Sequence, residues 1–328
     1  MNIDKIRAAA LRTKGKLRRT PLLNAPLLDA VAGRRIWVKP ECLQHTGSFK
    51  YRGALSAVSA LSAEERERGI IAFSSGNHAQ GIALAARQAS APAVIVMPAD
   101  APRLKIENTR ALGAETVLYD RVAGEDRDLL GKQIADERGL TLIKPFDNEE
   151  VIAGQGTTGL EIAEQAKELE VDARDVIVCC GGGGFASGIA LALETEAPTM
   201  RVRPAEPQDF DDMARSLASG KRLSNARTSG SQCDAIITPT PGVLTFPILH
   251  RLAGPGLVVS DDEALHAMAI AFEHFKVVAE PGGAVALAAA LFRSDQVAGD
   301  DVIVTISGGN VDAEVFEMAL TRFGGKLP

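Results

Sequence analysis

A chain of 328 residues, 46% of them apolar, has the material for a sizeable core and for two domains, or for one large domain with an inserted lobe. Its net charge of −6 and the lack of a basic stripe argue against nucleic acid as a partner, and no window approaches the ~20 apolar residues of a membrane span. The N-terminal Met1-Asn2-Ile3-Asp4-Lys5 lacks the apolar core of a signal peptide, and Cys42, Cys179, Cys180 and Cys233 have no zinc-type spacing, which predicts reduced thiols in a cytoplasmic protein.

Along the chain, the basic run 12–19 reads as a solvated helix face. Short apolar, β-branched segments follow at 36–39, 70–73, 93–97, 115–119, 141–143, 176–180, 201–205 and 302–306. Several lead into helix-competent stretches such as 77–87 and 151–169. This alternation predicts an α/β fold with mostly parallel sheets. With no Pro/Ser-rich linker and no internal repeat, the sequence alone suggests a single doubly wound domain. Ligands of such sheets bind where strands end and loops enter helix N-termini.

Four loops carry chemistry. In Lys39-Pro40-Glu41-Cys42-Leu43-Gln44-His45-Thr46-Gly47-Ser48-Phe49-Lys50-Tyr51-Arg52-Gly53-Ala54, one lysine stands at the mouth of an alanine-rich helical run. Lys50, with Ser48 and Thr46 beside it, is placed to be desolvated and partly neutral, as a Schiff-base lysine must be. Ser74-Ser75-Gly76-Asn77-His78 joins a strand to a helix, where unpaired N–H groups suit a carboxylate. Gly181-Gly182-Gly183-Gly184 follows a buried strand and precedes a helix start, an arrangement that cradles a phosphate. It has neither a Walker lysine nor Rossmann spacing, so a nucleotide triphosphate fits poorly. Ser307-Gly308-Gly309-Asn310 closes the series after the strand at 302–306.

In this order the four motifs resemble the fold-type II pyridoxal-phosphate enzymes, and within them the serine/threonine dehydratase and serine racemase branch. The resemblance runs from about Thr20 to the C-terminus. It implies a two-lobed, tryptophan synthase β-like architecture: a large cofactor-binding domain of residues 1–61 plus 148–328 and a small mobile domain of 62–147, with pyridoxal 5′-phosphate in the cleft. Lys50 is then the Schiff-base lysine and α-proton acceptor. Phe49 packs against the cofactor ring, Asn77 meets its phenolic oxygen, Gly181, Gly182, Gly183 and Gly184 hold its phosphate, and the Ser307 hydroxyl meets its pyridine nitrogen. Ser74, Ser75, Gly76, Asn77 and His78 hold the substrate carboxylate, His78 through its backbone. Ser75 stands on the substrate's far face, where racemases of this group exchange a proton.

Glu206-Pro207-Gln208-Asp209-Phe210-Asp211-Asp212 resembles the branch's divalent-cation site, with carboxylates from Glu206 and Asp212 and the carbonyl of residue 210 as hard ligands for Mg²⁺ or Ca²⁺. The usual small residue at 210 is Phe here; an acid-rich helix start is the plainer reading. Arg127 falls where racemase-like members carry an arginine near the substrate, although a surface helix at 125–137 accounts for it equally well. If it reaches the cleft it can bind a second carboxylate, with Thr238 assisting. The resemblance therefore implies a lyase that dehydrates and deaminates L-threonine or L-serine to a 2-oxo acid and ammonia. The alternatives are 3-hydroxyaspartate dehydratase, serine racemase with side eliminase activity, and a non-catalytic cofactor-binding protein. The chain ends soon after the last motif, so a catabolic form without a regulatory lobe is expected, as a homodimer.

Overall fold

The computed structural model describes residues 1–74, 76–101, 103–120 and 123–328. Among them are ten strands: β1 Leu23–Asn24, β2 Arg35–Pro40, β3 Ile70–Phe73, β4 Ala93–Pro98, β5 Glu115–Tyr119, β6 Thr141–Leu142, β7 Ala173–Cys179, β8 Arg201–Pro207, β9 Leu257–Val259 and β10 Asp301–Ile306. The helices are α1 Ile3–Thr13, α2 Pro26–Ala32, α3 Lys50–Ala60, α4 Ala63–Arg68, α5 Asn77–Gln88, α6 Arg103–Ala111 and α7 Arg127–Arg138. They continue with α8 Glu149–Glu168, α9 Gly184–Glu196, α10 Asp212–Ser219, α11 Thr245–Leu252, α12 Asp261–Phe275, α13 Pro281–Phe292 and α14 Ala313–Phe323.

The strands sort into two sheets, where the lack of a linker or repeat suggests a single doubly wound domain and the family resemblance suggests two lobes. One has the order β1-β2-β10-β7-β8-β9, the other β5-β4-β3-β6. All neighbours are parallel except β1 and β2. The four-stranded sheet is built wholly from chain between β2 and β7, so the second unit is an insertion into the first. Every residue of β10 is buried, as its mostly apolar run requires of a strand covered on both faces. Helix α13 covers it and is itself buried from Pro281 to Leu291, which explains why that helix is apolar all round. No helix among the described residues is long and apolar enough to cross a membrane.

Two features fix α3, the helix that Lys50 begins. A Cβ on Gly154 of α8 would lie 2.5 Å from the Arg52 carbonyl oxygen and 2.7 Å from Gly53 Cα, so α3 and α8 pack backbone to backbone. Beside that contact, Arg52 is fully buried and donates to Glu41 (2.6 and 2.8 Å) and Glu161 (2.7 and 2.9 Å). Lys39 completes the cluster, donating to Glu161 (2.6 Å), Gln165 (3.0 Å) and the Thr20 carbonyl (2.7 Å).

The run 12–19 is not a helix face. Helix α1 ends at Thr13, Lys14 caps it, and the basic residues beyond lie in a turn and an extended segment. Arg12 and Arg19 pair with acids of α8, Glu150 and Glu164, so this segment is tied down and not simply solvated.

Candidate active site

Lys50 is the first residue of α3, and the Phe49 amide donates to the Ser307 carbonyl at 3.1 Å, drawing the start of that helix onto the end of β10. The Lys50 amine donates to the Pro145 carbonyl at 3.1 Å. Burial lowers its pKa to about 8, with the Glu280 carboxylate pulling weakly the other way. The desolvation expected from the sequence is present, but its agents differ. The hydroxyls of Thr46 and Ser48 are buried without hydrogen-bond partners, and it is the Pro145 carbonyl that holds the amine.

The glycine loop runs from the end of β7 into α9. Gly183 caps α9 at φ +91°, a left-handed backbone that only glycine adopts without strain. A Cβ at Gly181, Gly182 or Gly183 would collide, and one at Gly184 would be tight. It would meet the Ile236 carbonyl at 2.7 Å from Gly181, the Phe146 ring at 2.4 Å from Gly182, Thr245 Oγ1 at 2.9 Å from Gly183, and Phe146 Cα at 3.0 Å from Gly184. Free N–H groups at a helix N-terminus, with no side chain in the way, suit a phosphate.

Asn77 begins α5. Its amide nitrogen donates to Glu280 (2.5 Å) and its oxygen accepts from the Asn310 amide (2.8 Å), so its orientation is set from both sides. The next residue, His78, is buried, with Nε2 at 3.2 Å from the Ile143 carbonyl and Nδ1 unpartnered. Burial, reinforced by the Lys50 charge, drops it to about 3, so the ring is neutral at pH 7. Ser74 Oγ accepts from the Gly76 amide at 3.1 Å, shaping the loop; Ser75 lies outside the described residues. Ser307 is buried at the end of β10, and the Phe49 ring stacks on Phe185 with centroids 4.0 Å apart.

Lys50 and Asn77 line a cavity of about 470 Å³ together with Ser74, Gly76 and His78. A small adjoining cavity of about 50 Å³ also touches Lys50 and Asn77, and adds Phe49, the four glycines and Ser307. Thr238 borders both, with its Oγ1 buried and unpartnered. Arg127, at the start of α7, is exposed yet lines the large cavity, its guanidinium 5.4 Å from the Phe73 ring centroid.

Sequence reasoning missed two charged residues. Glu280 is buried; burial pushes its carboxyl up to about 7, helped by Asp234 and opposed by Lys105, Asn77 and Lys50. Its only signal was an acid directly before Pro281 at a helix start. Lys105 of α6 is also buried, its Nζ 3.6 Å from Asp234, and its chain lies so close to Gly76 that a Cβ there would meet Lys105 Cδ at 2.9 Å.

The acidic cluster is structured as well. Glu206 accepts from the Met213 and Ala214 amides (3.0 and 2.7 Å), and Asp212 from the Asn225 amide (2.6 Å). Both carboxylates are buried, and Asp212 Oδ2 has no partner. Asn225 also donates to the Thr238 carbonyl at 2.8 Å, and Phe210 lines the large cavity, so this cluster borders the Lys50 cleft. No group of three or more His, Cys, Asp or Glu placed to hold a metal occurs among the described residues; the set here is two carboxylates with a backbone carbonyl.

A lysine of lowered pKa at a helix mouth, a glycine cradle at a strand-to-helix turn, an oriented asparagine and a buried serine at a third strand end define a fold-type II site for pyridoxal phosphate. Residues 14–309 match the family model described as pyridoxal-phosphate dependent enzyme. The chain is 41% identical over 312 residues to the L-threo-3-hydroxyaspartate ammonia-lyase of Pseudomonas sp, covering 95% of this chain and 96% of that one. It is 37% identical to the serine racemase of Oryza sativa subsp. indica, covering 98% and 94%. The crystal structure of a T.th. threonine deaminase superposes with a TM-score of 0.89 at 41% identity, covering 95% of this chain and 99% of that one. The chain belongs to the family of pyridoxal-phosphate-dependent enzymes, in its serine/threonine dehydratase and serine racemase branch, and is a lyase of that class.

Proposed function

We propose that this chain is an ammonia-lyase whose preferred substrate is L-threo-3-hydroxyaspartate, which it converts to a 2-oxo acid and ammonia. The observation that carries this reading is Arg127, which borders the same cavity as Lys50, where a second carboxylate of the substrate would extend. The naming of the Pseudomonas and Saccharomyces cerevisiae relatives, each 41% identical, supports it. L-Threonine or L-serine is the second reading, favoured by the apolar wall of Phe73, Phe146 and Ile237, which suits a methyl or hydrogen in place of the distal carboxylate.

Bound pyridoxal phosphate supplies an electron sink that acidifies the Cα–H of an amino acid joined to it. The glycine loop 181–184 and the N-terminus of α9 would hold its phosphate, and Ser307 would meet its ring nitrogen with a hydroxyl that carries no charge. Asn77, oriented by Glu280 and Asn310, would donate its second amide hydrogen to the phenolic oxygen. The backbone of 74–78 at the start of α5 holds the α-carboxylate, while Arg127 takes the distal one and Thr238 assists. The Lys50 amine, its pKa lowered to about 8, removes the α-proton in its neutral form. The substrate's hydroxyl takes up that proton and leaves as water, and the remaining enamine adds back one water to give the 2-oxo acid and ammonia. Ser75 is assigned the opposite face, the position from which racemisation would draw its proton. Residues 62–147 act as a small mobile domain that closes on the cleft of the large one, 1–61 plus 148–328.

We assign a divalent cation, Mg²⁺ or Ca²⁺, to Glu206, Asp212 and the Phe210 carbonyl. Two buried carboxylates side by side, one with an unpartnered oxygen, fit a bound positive charge. A cytoplasmic homodimer completes the reading. Chelation by EDTA is expected to lower activity and melting temperature, with Mg²⁺ restoring both; indifference to chelation removes the cation.

The test is 2-oxo acid release by cofactor-loaded protein offered L-threo-3-hydroxyaspartate, L-threonine and L-serine. Arg127→Met is expected to cut kcat/KM for hydroxyaspartate about 10–100-fold, the worth of a charge-assisted contact, and to leave L-serine nearly untouched. Equal loss on all substrates, or turnover of the monocarboxylates alone, sinks the hydroxyaspartate assignment.

A further inference from the structure

A further cavity, of about 380 Å³, lies where α1, α3, α4 and α5 meet, and among the described residues it shares none with the active-site cavities. The described residues lining it include three cations, Arg12, Lys16 and Arg66, and no carboxylate. In a chain of net charge −6, that concentration runs against the average. Its floor is apolar, made of Leu55 and Val58 from α3 and Ala85 and Ala89 from the end of α5. Arg12 spends one terminal nitrogen on Glu150 and Ser56, while its Nε is buried with no hydrogen-bond partner. Gln88 at the rim is held by the Tyr51 hydroxyl, which donates to its Oε1 at 2.7 Å, and this leaves its NH₂ as a further donor.

Arg12 and Arg66 each lie in the last turn of a helix, where a cation offsets the helix dipole. That explains why each position is basic. It does not explain why basic groups from separate elements converge over one apolar floor. A dianion with an organic body answers that point. Guanidinium groups bind phosphate oxygens in pairs, and the volume lies in the range of about 300–1,000 Å³ typical of small-molecule sites. We propose that this cavity binds a small organic phosphate, its phosphate held by Arg12, Lys16 and Arg66 and its apolar body seated on α3 and α5. Arg12 belongs to a helix packed on α8, whereas Arg66 and α5 belong to the unit of the four-stranded sheet, so the ligand spans the two units.

The test uses cofactor-loaded protein, in which the glycine cradle is already filled. Phenyl phosphate, inorganic phosphate and sodium chloride at matched ionic strength are titrated in by calorimetry. Phenyl phosphate is expected to bind at least about tenfold more tightly than inorganic phosphate, from burial of its ring. The double variant Lys16→Gln, Arg66→Gln is expected to weaken it by about tenfold or more while turnover of the amino-acid substrate stays unchanged. No heat above the salt control, or binding unaltered in the double variant, overturns the site. Equal affinity for the two phosphates overturns the apolar seat and with it the proposal of an organic ligand.

Discussion

Two lysines, Lys39 and Lys50, flank the start of α3 and have opposite fates. Lys39, on the side facing α8, finds three acceptors, and Arg52 beside it is saturated by two carboxylates. Lys50, facing the cleft, has one carbonyl. Burial pulls both lysines down, but Glu161 and Glu41 pull Lys39 back, whereas Lys50 has only Glu280 and settles at about 8. At that value roughly a tenth of the amine is neutral at pH 7, against about one part in 3,000 for an ordinary lysine. A saturated buried cation holds a fold together. One that is removed from water yet left short of partners is available for chemistry.

Substitutions should separate these two kinds of lysine environment. Lys50→Ala is expected to abolish both the absorbance band of the bound cofactor and turnover, while changing the free energy of urea unfolding by less than about 1 kcal/mol, since the amine makes a single hydrogen bond, to the Pro145 carbonyl. Arg52→Ala is expected to do the reverse. Leaving buried Glu41 without its cation, and Glu161 with Lys39 alone, costs about 3–5 kcal/mol, and the fraction that still folds keeps its cofactor band. If Lys50→Ala unfolds as readily as Arg52→Ala, the contrast between the two environments is lost.

The sequence shows one of these environments more readily than the other. Lys50, the glycine loop and Ser307 were legible because each follows a strand or opens a helix within a few residues, and local pattern reports such positions. Most strands were legible for the same reason, through their short apolar runs. The division into two sheets was not, because nothing local tells β3 that its neighbours are β4 and β6 and not β2. Strands β1 and β9, of two and three residues, are too short to show a period. Glu280 and Lys105 were missed because each reaches the cleft from distant chain, and a lone acid before a proline resembles any helix start. Neither the partners of Arg52 nor those of Lys39 adjoin them along the chain, so that cluster too emerges only on folding.

Glu280 stands between the two extremes, since it is buried and only half satisfied. Oε1 accepts from Asn77, Oε2 has no partner, and its pKa is raised to about 7. When ionised it holds the Asn77 amide by a charge-assisted bond, about twice as strong as a neutral one. Activity is therefore expected to rise with pH through about 7, and Glu280→Gln should remove that limb and lower kcat/KM about 10–100-fold. Stability should move the other way. A carboxyl whose folded pKa lies above its usual value of 4.5 binds its proton more tightly folded than unfolded, so its contribution falls as pH rises from about 4.5 to about 7. Glu280→Gln escapes that cost and is expected to gain about 1–3 kcal/mol over wild type at pH 8, with the gain vanishing near pH 4.5. Urea unfolding at the two pH values, set beside a kcat/KM profile, checks both halves. A variant less stable at pH 8 and unchanged in its pH profile would make Glu280 an ordinary buried hydrogen-bond partner. A stabler but slower enzyme would place it with Lys50, among the groups left short of partners where the chemistry is done.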